Sequence, residues 1–114
     1  MTFHFAVPPE VTPSAGMTSK TTNAGDPITI SFKVVKEPAP NVTREGIQWV
    51  FAGSNGSVNL PCKSSPKYIF SSDCLSLTVN NTVRSDAGLY QIVVTTEAGT
   101  AMSSVVLSVR GGEL

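Results

Sequence analysis

The strongest constraint in this sequence is a period of two. Apolar Ile28, Ile30, Phe32 and Val34 alternate with Thr29, Ser31 and Lys33, and the same alternation returns at Ile47, Trp49 and Phe51, at Leu75, Leu77 and Val79, and at Tyr90, Ile92 and Val94. Successive side chains of an extended strand point to opposite faces, so each stretch has one face to bury and one to leave in water. No window shows sustained helical spacing. Composition agrees, because Val, Ile and Thr number 14, 5 and 12 against 8 Ala and 6 Leu, a bias toward pleated, half-buried surfaces. We therefore expect an all-β chain in which sheets dominate and polar Ser and Thr cover their outer faces.

Turn residues divide the apolar runs. Phe3 to Val7 reads as an opening strand stopped by Pro8-Pro9, and the segment around Met17 to Thr22 as a second edge piece, since Pro8, Pro9 and Pro13 cannot donate in a central ladder. The turn Ala24-Gly25-Asp26-Pro27 leads into Ile28. Gly53-Ser54-Asn55-Gly56-Ser57 supplies the Asn-Gly chemistry of a tight hairpin into Val58 to Leu60. Tyr68 to Phe70 is a short strand, and Glu97-Ala98-Gly99 folds Tyr90 to Val94 back against Val105, Leu107 and Val109. Seven to nine short strands in 114 residues make one domain, long enough to bury about two thirds of its surface. We take residues 1–114 as that domain, with its core at about 3–110, cut from a longer protein.

Several functions are excluded at this level. Lys and Arg number 8 against 8 Asp and Glu, and no two basic residues are adjacent, so the clustered positive surface of a nucleic-acid binder is missing. No apolar stretch approaches the ~18 residues needed to span a bilayer, so membrane attachment is expected only through a segment outside this sequence. A catalytic triad would have to use His4, the only histidine, which sits between Phe3 and Phe5 on the opening strand. Asp86 is the most tempting acid, but we read it as a turn residue paired with Lys67 or Arg84. Ala52-Gly53-Ser54-Asn55-Gly56 leads into a strand and not into a helix, which removes a phosphate-cradling loop. Cys62 and Cys74, with one distant histidine, cannot provide four metal ligands. We expect no catalytic residue, cofactor, metal or small-molecule substrate.

Leu77-Thr78-Val79, then Asp86-Ala87-Gly88-Leu89-Tyr90, then Ala98-Gly99, then Leu107-Ser108-Val109, with Trp49 upstream, resembles the E, F and G strands of an immunoglobulin superfamily domain of intermediate or variable type. The resemblance covers about residues 25–110. It implies a Greek-key sandwich in which Tyr90 is the corner tyrosine tied back to the backbone, Gly88 permits the tight turn and Trp49 fills the space between sheets. One element departs from the family. Its inter-sheet disulfide would join the positions of Phe32 and Ile92, neither of which is a cysteine here. Such a bond closes a loop of about 60 residues and contributes roughly 4 kcal/mol, whereas burial of Phe32 and Ile92 contributes about 1.5–3 kcal/mol each, so packing is able to replace it.

Cys62 and Cys74 flank the short strand Tyr68 to Phe70. Bridged, they would pin that segment to the sheet edge and contribute roughly 3 kcal/mol; the alternative is two half-buried thiols in a cytosolic domain. Three glycosylation sequons begin at Asn41, Asn55 and Asn80, all expected in loops or at strand ends. With the paired cysteines they favour an extracellular, cell-surface domain of a type I transmembrane protein.

With Trp49, Tyr90, Ile92 and Leu107 turned inward, alternation turns Gln48, Val50, Gln91, Val93, Ser104, Val106 and Ser108 outward on three neighbouring strands. Three valines ringed by Gln and Ser without a charge resemble the anatomy of an interface. Such a surface is self-complementary about a twofold axis, so the expected partner is another copy of the protein on an opposing cell. More narrowly, the E-to-G signature, the displaced cysteine pair and the sequons resemble the N-terminal domains of the allorecognition receptors of colonial hydroids, which implies homophilic self/non-self recognition. Two alternatives stay open: a structural immunoglobulin-like domain of an intracellular filament-type protein, and a heterophilic receptor domain.

Overall fold

Nine strands form from these runs in a computed structural model that describes residues 9–14, 16–35 and 42–111. The opening strand expected at Phe3 to Val7, with His4, lies outside the described residues, as does Asn41. The strands are β1 (Val11–Pro13), β2 (Ser19–Asn23), β3 (Ile28–Val34), β4 (Ile47–Gly53), β5 (Gly56–Leu60), β6 (Tyr68–Phe70), β7 (Ser76–Val79), β8 (Gly88–Thr96) and β9 (Gly99–Arg110). They make a four-stranded sheet ordered β1-β3-β7-β6 and a five-stranded sheet ordered β2-β9-β8-β4-β5. The expected two-sheet all-β architecture is what the chain adopts.

Alternation dictates how the sheets meet. Ile30 and Phe32 of β3 and Leu77 and Val79 of β7 face Trp49 of β4, Tyr90, Ile92 and Val94 of β8, and Val105 and Leu107 of β9, all of them buried. Trp49 stands at the centre, with Phe32 edge-on at 5.4 Å between ring centroids and Phe70 edge-on at 6.0 Å, the tilted geometry that aromatic quadrupoles favour. Ile92 is opposite Trp49 in the β4–β8 ladder. Phe32 and Ile92 thus occupy the middle of the core with no sulfur between them, as packing in place of the family's central bond requires.

The chain ends of the sheets follow from turn chemistry. Between Pro13 and Ser19 the strand switches sheets: the Ser14 amide still donates to Ser31 of β3, whereas the Thr18 carbonyl already accepts from Val106 of β9. Gly16, with φ of 73°, supplies the left-handed residue that this crossing uses. β2 then runs parallel to β9, the one parallel pairing among the described strands. Gly88 does more than permit a turn. Its φ is 151°, and an added Cβ would meet the Ala52 carbonyl of β4, so glycine is needed there for close approach of β8 to β4.

Candidate functional site

Two devices hold the five-stranded sheet rigid beneath its outer surface. The first is the corner at Tyr90, whose buried hydroxyl donates to the Asp86 carbonyl at 2.7 Å. Asp86 closes a short 3-10 turn, Arg84–Asp86, and its Oδ2 accepts from the Val83 amide at 2.8 Å and from Lys67 Nζ at 2.6 Å. Lys67 is therefore the ion-pair partner of Asp86, one of the two candidates the sequence offered. Burial, then the nearby Asp86 and Tyr68, push the Tyr90 hydroxyl well above the ordinary tyrosine value of 10.0. Desolvation and Asp86 raise Tyr68 in the same direction.

The second device is the disulfide Cys62–Cys74, with Cα atoms 6.1 Å apart. Cys62 follows β5 at the edge of one sheet and Cys74 precedes β7 in the other. The bridge therefore ties sheet to sheet at their rim, beyond the local pinning expected of it. Trp49 Nε1 donates to the Cys74 carbonyl at 2.8 Å, which couples the bridge to the centre of the core. Arg44, which the sequence did not single out, reaches across from the turn before β4. Its Nε donates to Cys74 Sγ at 3.2 Å and its Nη2 to the Cys62 carbonyl at 3.0 Å. No local pattern announces such a contact, because Arg44 lies 30 residues from Cys74.

A cavity of about 260 Å³ opens beside this bridge, lined by Val34, Val42, Arg44, Ile47, Asp73 and Leu75 among others. Its charged groups are engaged elsewhere: Arg44 with the two cysteines, and Asp73 with the Ser71 hydroxyl at 2.6 Å and the Leu75 amide at 3.0 Å. Those two hydrogen bonds, the Ser71 bond foremost, hold the Asp73 carboxyl below its ordinary value. Among the described residues no three His, Cys, Asp or Glu side chains gather.

The outer surface of β4, β8 and β9 is the remaining candidate. Ladder register sets its rows: Gln48, Val93 and Met102 lie side by side, then Val50, Gln91 and Ser104, then Ala52, Leu89 and Val106. Ser108 continues the line along β9 opposite Thr21 of β2. Gln48, Met102, Val106 and Ser108 are exposed, the other positions in these rows half-buried, and none is charged. Leu89, Ala52 and Met102, the last 62% exposed, extend the apolar set beyond the three valines read from the sequence. No two of those valines are directly opposed; Gln91 and Ser104 stand between them, so the surface is a chequer of apolar and amide or hydroxyl groups.

Of the sequons, Asn55 is exposed at the tip of the β4–β5 hairpin. Asn80 is half-buried at the end of β7, and its side-chain amide donates to the Pro66 carbonyl at 3.1 Å.

This arrangement has known counterparts. The sequence matches the immunoglobulin I-set domain over residues 14–109. Among curated proteins no relative of the sequence is found. Among solved structures, titin M4 is similar at 26% identity with a TM-score of 0.60, over 81% of this chain and 86% of that one. The tandem Ig repeats of Dlar (23%, TM-score 0.59) align over 88% of this chain and 48% of theirs. Titin M3 (19%, TM-score 0.59) aligns over 83% and 92%. The last two show the shared sandwich alone. With the corner at Tyr90, the tryptophan between the sheets and a family match across nearly the whole described sequence, the chain belongs to the immunoglobulin I-set domain family.

Proposed function

We propose that this domain is an extracellular recognition module, with no catalytic role, that binds a second copy of itself on an opposing cell through the outward face of β4, β8 and β9. The observation that carries this reading is the charge-free chequer of Gln48, Val50, Gln91, Val93, Met102, Ser104 and Val106. An apolar centre with interspersed amides and hydroxyls meets its own copy without like-charge repulsion. The rim disulfide and the exposed Asn55 support an oxidising, glycan-bearing compartment and thus a cell-surface protein. The resemblance to hydroid allorecognition receptors extends this reading to discrimination of self from non-self.

A patch of this size pairs weakly, at about tens of micromolar or poorer, because a small interface must offset lost translational and rotational freedom. Avidity between opposed cells then supplies strength. Val93→Asp places a charge beside Gln48 and Met102 without entering the core. In sedimentation at high concentration the wild type self-associates and Val93→Asp stays monomeric with a melting temperature within a few degrees. If both are monomers, or both associate equally, the face is not the binding surface.

The second reading is a structural domain in a filament-type protein, and the likeness to the titin M4 domain favours it. Mass spectrometry of material taken from its native compartment under non-reducing conditions separates the two. A Cys62–Cys74 bridge there supports the cell-surface reading, and two alkylatable thiols support the filament.

A further inference from the structure

We propose that the Cys62–Cys74 bridge is a thiol-exchange site, opened by a dithiol that attacks Cys62 and expels Cys74 as a thiolate held by Arg44. This goes beyond the recognition reading and does not depend on it.

The two sulfurs are not equivalent. Cys74 is wholly buried, whereas Cys62 is half-buried between exposed Pro61 and Lys63 in the segment after β5. An entering thiolate therefore reaches Cys62, and exchange places the leaving charge on the opposite sulfur. That sulfur already touches a cation. Arg44 Nε donates to Cys74 Sγ at 3.2 Å, while Nη2 donates to the Cys62 carbonyl at 3.0 Å and lies 3.6 Å from Cys62 Sγ. A neutral sulfur is a weak acceptor, so the Nε contact strengthens when the bond breaks and charge arrives on Cys74. Burial opposes charge on that sulfur, and the guanidinium in direct contact offsets it. Asp73, next to Cys74 in the chain, does not compete for Arg44, because its carboxylate accepts from the Ser71 hydroxyl and the Leu75 amide.

Cys74 is also fixed without the bridge. Its φ of 63° lies in the left-handed region, which a residue other than glycine keeps only where its neighbours impose it. Here the Cys74 amide donates to the Ser71 carbonyl at 3.0 Å, its carbonyl accepts from Trp49 Nε1 at 2.8 Å, and the Ser76 amide donates to Ser71 Oγ at 3.0 Å across the same turn. None of these bonds uses sulfur. Cys74 Sγ therefore stays beside Arg44 after cleavage, and the Cys62 end comes free. Opening unties β5 from the opposite sheet at the rim and leaves the packed centre in place.

The exchange balances in two steps. One thiolate of the dithiol bonds to Cys62 Sγ as the Cys62–Cys74 bond breaks, and the electron pair leaves on Cys74. The second thiol of the dithiol, having lost its proton to solvent, then displaces Cys62, which takes a proton back. Two electrons pass from the dithiol, now a cyclic disulfide, to the bridge, now a Cys62 thiol and a Cys74 thiolate.

Two measurements on the intact, oxidised domain test this. In the first, a monothiol, 2-mercaptoethanol, traps the mixed disulfide, which is quenched in acid and alkylated before digestion with trypsin. Cleavage after Lys63 and Lys67 puts Cys62 and Cys74 in separate peptides. The adduct is expected on Cys62 and the alkylated thiol on Cys74; an adduct chiefly on Cys74 overturns the proposal. In the second, the rate of opening by dithiothreitol at neutral pH is compared among variants whose Trp49 fluorescence matches the wild type. Arg44→Gln slows opening by about tenfold or more, since a poorer leaving thiolate departs more slowly, and Arg44→Lys restores a good part of the rate. Opening of Arg44→Gln as fast as wild type or faster, or Arg44→Lys as slow as Arg44→Gln, overturns the role given to the cation. Should Arg44→Gln fail to fold, the position of the adduct in the wild-type domain decides.

Discussion

The two places where the sheets are tied together solve one problem by opposite means. At the centre, Phe32, Trp49 and Ile92 hold the sheets by packing, to which the Trp49 indole adds one hydrogen bond to the Cys74 carbonyl. At the rim, Cys62–Cys74 holds them by a covalent bond, with Arg44 laid across it. The contrast follows from what surrounds each place. The centre is dry on every side and large side chains there gain full transfer and dispersion energy. At the rim β5 is exposed along most of its length and β6 has only three residues, so little apolar area is available. A covalent tie adds most where packing adds least.

The largest expected effect breaks the central tie. Phe32→Ala leaves a cavity against Trp49 and costs about 3–5 kcal/mol in urea unfolding; a loss under about 1 kcal/mol would show that the ring does not fill the space between the sheets. Next comes the corner that braces the five-stranded sheet. Tyr90→Phe leaves the Asp86 carbonyl without its donor and costs about 1–3 kcal/mol. The same residue sets an alkaline limit. Its hydroxyl titrates above 10.0 in the folded domain, so the stabilisation is whole below that value and declines as pH rises past it, while the unfolded chain ionises and the folded one does not. Wild type therefore loses stability above about pH 10 more steeply than Tyr90→Phe, and equal slopes in chemical denaturation would contradict this. The smallest effect lies near the rim. Asp73 titrates below its ordinary value of 3.8, so its contribution is present above that pH and fades as pH falls below it. Asp73→Asn removes this fade and shifts the acid limb of stability only slightly.

Most of the centre was legible in the sequence and most of the periphery was not. Period-two alternation placed β3, β4, β7, β8 and β9, and Asn55-Gly56 placed the hairpin, because each signal is local and buried faces leave it strongly. The corner was legible as well, since Asp86, Gly88 and Tyr90 are close in sequence. β1 escaped because Pro13 reads as a breaker, although its missing N–H does no harm on an edge strand. For β2, an edge piece was expected near the right residues. Its parallel pairing with β9 was not, because Ser-Lys-Thr-Thr-Asn has no apolar face to set a register. Arg44 on the disulfide is a contact across a long stretch of chain, which leaves no periodic trace, whereas Lys67 on Asp86 was one of the two partners the sequence offered. On the candidate face the seven residues read from alternation do lie outward or half-buried. Leu89, Ala52 and Met102 were passed over because their place depends on which residues the ladders set beside them.

The central claim is that packing at the middle carries the fold and the displaced bridge only reinforces its rim. Urea unfolding of the double variant Cys62→Ala, Cys74→Ala tests it directly. The account predicts a folded domain that unfolds in one cooperative transition, with buried Trp49 fluorescence retained before the transition and a loss of no more than about 3 kcal/mol. A variant already unfolded in buffer, or one that melts without cooperativity, would show that the rim bond and not the core holds the sheets together.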